Sequence, residues 1–144
     1  MFSKILIPTD GSEVATQAAL RAVPLAKLAG ARVLAVYVAS VYAYTGVGEA
    51  SNAAMQAYVA AGREEGQRAV ERIAEAAKDQ GVPFDSLVVE SDQVADGIVR
   101  AAQDSGVDLI AMGSHGRSGL AKLVVGSVAA RVLTLSPVPV LIFK

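Results

Sequence analysis

The sequence predicts a single α/β domain, a doubly wound sheet of five parallel strands with helices between them. Three observations carry this. Apolar runs such as Ile5-Leu6-Ile7 and residues 107–112 lack regular polar alternation, the pattern of strands covered on both faces. Segments with helical spacing of apolar residues separate these runs, and such alternation implies right-handed crossovers between parallel strands. Glycine or proline stands at the joins, at Gly30, Gly81, Pro83, Gly106 and Pro137. With 144 residues, 53% of them hydrophobic, the chain can bury one sizeable core but is short for two.

The first strand is expected over residues 4–8, followed by a turn at Thr9-Asp10-Gly11-Ser12. Asp10 and Ser12 are both N-cap candidates, and Asp10 with Glu13 approximates a capping box, so a helix should begin near Glu13. Val14, Ala18, Leu25 and Leu28 would form its inner face, with Ala15, Ala19, Ala22 and Ala26 allowing close approach to the sheet. Pro24 removes a hydrogen bond and crowds the preceding turn, which predicts a kink around 20–24. Gly30 ends the helix, and residues 32–38 read as the second strand.

No period is clear from Ala39 to about Asn52, where Tyr42, Tyr44, Gly46 and Gly48 suggest a mobile loop over a ligand. A long helix should follow to about Gln80, with Tyr58, Ala69, Ile73 and Ala76 inward and Arg63, Glu64, Arg68, Glu71, Arg72 and Glu75 in water. Gly62 and Gly66 would weaken it by about 1 kcal/mol each relative to alanine. The third strand is expected over 84–90, and Ser91 or Asp92 would cap a short helix carrying Val94, Ile98 and Ala101. After the fourth strand, 107–112, and a glycine-rich stretch, residues 120–125 read as a helical turn. Ser127 would cap a helix through Val132, Pro137 would stop it, and the fifth strand would be Val138-Pro139-Val140-Leu141-Ile142-Phe143.

Composition excludes several function classes. Lysine plus arginine total 13 against 14 acidic residues, so no overall field favours nucleic acid or an anionic membrane, and any anion site must be local. The absence of cysteine removes thiol chemistry and cysteine-ligated metals, and a lone His115 cannot form a histidine cluster. Apolar runs are strand-sized with no basic-then-apolar leader, so neither a transmembrane helix nor a signal peptide is expected, and the cytoplasm is the default location.

The stretch Gly113-Ser114-His115-Gly116-Arg117-Ser118-Gly119, followed by Gly126-Ser127, carries the chemistry. A strand, a glycine-rich loop and a helix make an anion site, because glycine lets backbone N–H groups converge while the helix N-terminus presents unpaired donors. The spacing G-x2-G-x9-G-S is neither a Walker loop nor G-x-G-x-x-G. It resembles the nucleotide loop of the universal stress protein family, in its ATP-binding branch. The resemblance spans the chain, from Lys4-Ile5-Leu6-Ile7-Pro8-Thr9-Asp10-Gly11-Ser12 through Asp108 to Pro137-Val138-Pro139-Val140-Leu141.

That resemblance implies a Rossmann-like fold of the adenine nucleotide alpha hydrolase type, with strand order 3-2-1-4-5 and the first and fourth strands adjacent at the switch point. It implies ATP as ligand, with Mg2+ or Mn2+ on the phosphates and few or no protein ligands to the metal. Asp10 and Val38 would lie at the adenine and ribose end, Met112, Gly113 and Gly116 along the ribose and phosphate path, and Gly126 and Ser127 at the phosphates. The candidate site comprises Pro8, Thr9, Asp10, Val38, Met112, Gly113, Ser114, His115, Gly116, Arg117, Gly126, Ser127 and Val128, with no catalytic and no metal-ligating residue. It also implies a homodimer through the fifth strand, whose apolar edge would be a liability in a monomer.

Plainer readings stand beside these. Asp10 is also a helix cap, Gly113 and Gly116 could be turn glycines, and His115, Arg117 and Lys122 could be solvated surface groups. Tyr42 and Tyr44 could cover adenine or pack in a core or interface. A micromolar complex needs about 8 kcal/mol, whereas a helix dipole supplies about 0.3–2 kcal/mol. Several charge-assisted hydrogen bonds at about 1.5–3 kcal/mol each are required as well. Since no nucleophile, base and orienting partner assemble from the sequence, the expected function is an ATP-binding regulatory module with little or no hydrolysis. The alternatives are a nucleotide-free dimeric interaction module, and a nucleotide-dependent transferase, for which the required catalytic loop is missing.

Overall fold

The structure, a computed structural model, describes residues 1–40, 52–115 and 125–144. The elements run β1 (Lys4–Pro8), α1 (Glu13–Ala29), β2 (Arg32–Ser40), α2 (Asn52–Asp79), β3 (Phe84–Ser91), α3 (Val94–Asp104), β4 (Leu109–Gly113), α4 (Ser127–Leu135) and β5 (Val140–Phe143). The strands form one parallel sheet ordered β3-β2-β1-β4-β5, as expected. Most of the loop expected over 39–52 and of the helical turn over 120–125 lies outside the described residues, as do Tyr42, Tyr44 and Lys122. No helix among the described residues is long and apolar enough to cross a membrane.

The unalternated strands follow from a core on each side of the sheet. Ile5 and Ile7 point to one face, where Ala19, Ala22, Val23 and Ala26 of α1 and Val70, Ile73 and Ala77 of α2 cover them. Leu6 points to the other, with Ile110, Ile98 and Ala102 of α3 and Val132 of α4. Ile5, Leu6, Ile7 and Ile110 are fully buried, so truncating any of them to alanine should cost about 2–5 kcal/mol.

Several local expectations are corrected. The N-cap of α1 is Ser12, whose hydroxyl accepts the N–H of Ala15 at 3.2 Å. Asp10 instead accepts the N–H of Ser12 at 3.0 Å, and Glu13 turns outward to Gln17 and Arg72, so no capping box forms. The buried stripe of α1 is centred on Ala15, Ala19, Ala22 and Ala26, about a third of a turn or more from Val14 and Leu28 at about 100° per residue. Val14 and Leu28 are therefore exposed, while Thr16 and Val23 are inside. As expected, the helix contains Pro24 and ends on Gly30, whose left-handed φ of 66° lets its N–H reach Ala26 and Lys27.

In α3 neither Ser91 nor Asp92 caps: the N-cap is Gln93, and the Ser91 hydroxyl donates to the Gln93 carbonyl. Gly126, not Ser127, is the N-cap of α4, with Ser127 as its first helical residue. The fourth strand starts at Leu109 and the fifth at Val140, each later than expected. Asp108 is occupied in tying β4 to β1. Its carboxylate accepts the Ser3 hydroxyl at 2.6 Å, the Ser3 N–H at 2.8 Å and the Lys4 N–H at 3.1 Å. Burial pushes the Asp108 carboxyl upward in pKa, but these hydrogen bonds outweigh it and hold the group below its usual value. The β1–β4 pair is thus anchored at its N-terminal end, and the crevice of the doubly wound sheet opens at the other.

Candidate functional site

Beyond β1 the backbone folds back on itself. Thr9 donates its N–H to Val36 of β2, the Thr9 hydroxyl accepts from Gly11, and Asp10 accepts from Ser12. These bonds fix the loop that carries the Asp10 carboxylate over the end of the sheet. Beyond β4, Ser114 does the corresponding work with its backbone. Its N–H reaches Phe143 at the end of β5 at 2.9 Å, and its carbonyl accepts the N–H of Gly126 at 2.7 Å. The two ends of the glycine-rich segment are therefore held together at the start of α4.

The two loops open on one cavity of about 510 Å³, within the size range of small-molecule sites. Every candidate residue that the structure describes lines it: Pro8, Thr9, Asp10, Val38, Met112, Gly113, Ser114, His115, Gly126, Ser127 and Val128. Gly116 and Arg117 lie outside the described residues. Further residues line it that the sequence reading did not select, namely Tyr58, Val59, Gly62 and Glu65 of α2, Glu90 of β3, and Val94 and Ile98 of α3. Tyr58, expected in the core, is instead 36% exposed, and its hydroxyl donates to the Ser40 carbonyl at 3.0 Å. The spacing of Tyr58, Gly62 and Glu65 on one helical face was the available signal.

The glycines act through close approach. Gly126 has φ −60°, and the positive-φ glycines among the described residues are Gly11, Gly30, Gly81 and Gly106. A Cβ on Gly126 would meet the Ser114 carbonyl oxygen at 3.0 Å, and one on Gly113 would meet the Ala18 Cβ and the His115 carbonyl oxygen at 3.3 Å. Such contacts are tighter than ordinary packing.

The cavity is chemically polarised. At the α4 end, the N-cap has no side-chain acceptor, and the helical ladder begins with Ala130 donating to Gly126. The N–H groups of Ser127, Val128 and Ala129 thus have no acceptor within the helix, and the helix dipole makes this end attractive to anions. On the β3 side of the strand order the lining carries Glu90 and, from α2, Glu65, with Asp10 after the central strand β1 and with Val38, Val94, Ile98 and Met112 supplying apolar wall. Glu90 pairs with Arg63 at 3.5 Å in an exposed ion pair. This arrangement suits a ligand with an anionic end and an uncharged end rich in hydrogen-bond donors.

His115 Nδ1 lies 2.9 Å from the Ser114 hydroxyl, while its Nε2 is buried without a hydrogen-bond partner. A serine and histidine in contact require a third group to orient the ring before they resemble a nucleophile and base. None contacts His115 Nε2 among the described residues. Among those residues no cluster of three or more His, Asp or Glu is arranged to hold a metal ion.

Comparison with known proteins finds relatives of this chain and of its fold. The model of the universal stress protein family matches residues 1–144. A universal stress protein of Methanocaldococcus jannaschii is 36% identical over 144 residues, covering 100% of this chain and 83% of its own. The solved structure of a second protein of that organism, the subject of a structure-based assignment of biochemical function, is 31% identical with a TM-score of 0.86, covering 100% of this chain and 96% of its own. The universal stress protein of Archaeoglobus fulgidus solved in complex with dAMP shares the fold, with a TM-score of 0.67 at 22% identity, covering 99% of this chain and 98% of its own. On the family match over its whole length and on this shared architecture, the chain belongs to the universal stress protein family.

Proposed function

We propose that the chain is a cytoplasmic ATP-binding regulatory module of the stress response, in which the bound nucleotide biases conformation or assembly. The observation that carries this reading is the meeting of the Asp10 loop and the α4 N-terminus in one cavity with opposite chemical character at its two ends. Phosphates would take the free donors of Ser127, Val128 and Ala129 and the Ser127 hydroxyl. The ribose hydroxyls would donate to Asp10, with adenine against Val38 and Met112. The solved relative carrying dAMP supports an adenine nucleotide as the ligand class.

The residues present fit such a ligand. Three helical N–H donors and a hydroxyl at about 1.5–3 kcal/mol each reach the range a micromolar complex needs, before ordering costs are subtracted. A divalent cation, Mg2+ or Mn2+, would be held by the phosphates, whose charge it would partly neutralise, because no protein cluster is arranged for it among the described residues. With no oriented nucleophile and base among those residues, turnover should stay well below ordinary enzyme rates of order 1 per second. The protein would work as a homodimer through β5, the strand within residues 138–143.

The test is extraction of the purified protein followed by chromatography and mass spectrometry of the released small molecules, with thermal unfolding in added ATP. Recovered adenine nucleotide, or a clear rise in melting temperature, supports the reading. Neither being seen would favour a nucleotide-free interaction module.

A further inference from the structure

Residues Tyr37 and Val38, consecutive near the end of β2, point to opposite faces of the sheet, and each is met by a helical glycine. On the α2 side, a Cβ built on Gly66 would lie 2.8 Å from Tyr37 Cδ1 and 2.9 Å from Val88 Cγ2. On the α3 side, a Cβ on Gly97 would lie 2.8 Å from Val38 Cγ1, 3.2 Å from Val38 Cγ2 and 3.0 Å from Ser91 Cβ. No ordinary side chain is accommodated at such separations. Two helices therefore pinch the end of β2 more closely than residues with side chains permit.

Nothing in the conformation of α3 asks for glycine at 97. Its φ is not positive, and its N–H donates to Gln93 as in any first helical turn. Glycine there lowers helix propensity by about 1 kcal/mol relative to alanine. What it gives is proximity. Val38 lines the cavity, and so do Val94 and Ile98, one turn apart on α3 and flanking Gly97 in sequence. Close seating of α3 on Val38 brings these three branched side chains into one apolar wall.

We infer that Gly97 is a positioning residue for base recognition: by letting α3 rest on Val38, it sets the wall against which the flat face of a purine packs. This rests on the nucleotide reading above. Gly97 does not line the cavity itself, and it acts chiefly through Val38, which supplies the shortest of its contacts, with Ser91 Cβ the lesser neighbour. Adding a methyl at 97 would push Val38 into the slot or α3 away from it, and either would spoil packing against the base. The phosphate end, built from α4, would be disturbed less, because the Asp96–Arg131 pair that joins α3 to α4 is exposed and can adjust.

The test is equilibrium titration of the full chain with ATP and, separately, with inorganic tripolyphosphate, which probes the phosphate end only. Gly97→Ala should weaken ATP about tenfold and change tripolyphosphate affinity less than twofold. In a Val38→Ala background, where both valine methyls are gone, the same change should cost less than threefold. This second comparison also serves if Gly97→Ala alone fails to fold. Equal losses for ATP and tripolyphosphate, an unchanged ATP affinity, or the same penalty in both backgrounds would overturn the assignment. Wild-type protein that binds tripolyphosphate or nothing, but never ATP, would overturn the nucleotide reading itself.

Discussion

Gly126 donates its backbone N–H to the carbonyl of Ser114 at 2.7 Å, and a Cβ on Gly126 would stand 3.0 Å from that same oxygen. The end of β4 and the start of α4 are thus joined by a contact that only glycine permits without displacement. Replacing Gly126 by alanine should separate them by a few tenths of an ångström and misaim the donors of the first helical turn. Overpacking of this kind costs about 1–3 kcal/mol. The expected outcome is a lower urea midpoint together with at least a tenfold loss of ATP affinity, measured by denaturation and calorimetric titration.

Two glycines on one face of α2 should respond with opposite sign. A Cβ on Gly62 meets only the Ala39 Cβ at 3.5 Å, an ordinary contact, whereas one on Gly66 runs into the Tyr37 ring and Val88. Gly62→Ala should therefore gain up to about 1 kcal/mol of helix propensity. Gly66→Ala should lose stability by about 1–3 kcal/mol despite the same propensity gain. Urea unfolding of the two variants side by side checks the contrast.

Asp108 should make the β1–β4 junction sensitive to acid. Its folded pKa is depressed: burial opposes ionisation, and the hydrogen bonds from Ser3 and Lys4 more than compensate. A depressed carboxyl contributes stability that is present above its unfolded pKa of about 4 and lost as pH falls through the folded value. Asp108→Asn should cost about 1–3 kcal/mol at neutral pH, the scale of hydrogen bonds to a charged group. The difference from wild type should shrink as pH falls below about 4, as read by urea unfolding across that range.

Strand β5 lies at the edge of the sheet, and Leu141 on it is 37% exposed. If a second copy covers this edge, sedimentation at micromolar concentration should show a dimer. Leu141→Arg, which places a charge in the apolar contact, should shift the protein to monomer without unfolding it.

Much of this fold was legible because burial on two faces leaves a direct mark. Ile5 and Ile7 feed one core and Leu6 the other, so a strand with no polar partner reads as central. The positions of Asp10, Gly113 and Ser127 were legible for a related reason, since they end or follow β1 and β4, strands that a doubly wound sheet places side by side. Caps were less legible. Asp10 and Ser12, or Ser91 and Asp92, differ by one or two positions, and the choice turns on backbone angles that composition does not encode. The α2 wall is not legible because helical periodicity places Tyr58 inward without telling a core from a cavity, and nothing in the spacing singles out Glu65 beside it. For Gly66 and Gly97, the sequence shows the cost to the helix but not the neighbour that explains it.

The central claim is that two segments far apart in the chain grip one nucleotide, and amide chemical shifts followed during an ATP titration test it most directly. Resonances of Asp10 to Ser12 and of Ser127 to Ala129 should move together and saturate with a single dissociation constant. Movement confined to one of the two groups, or none in either, would contradict it.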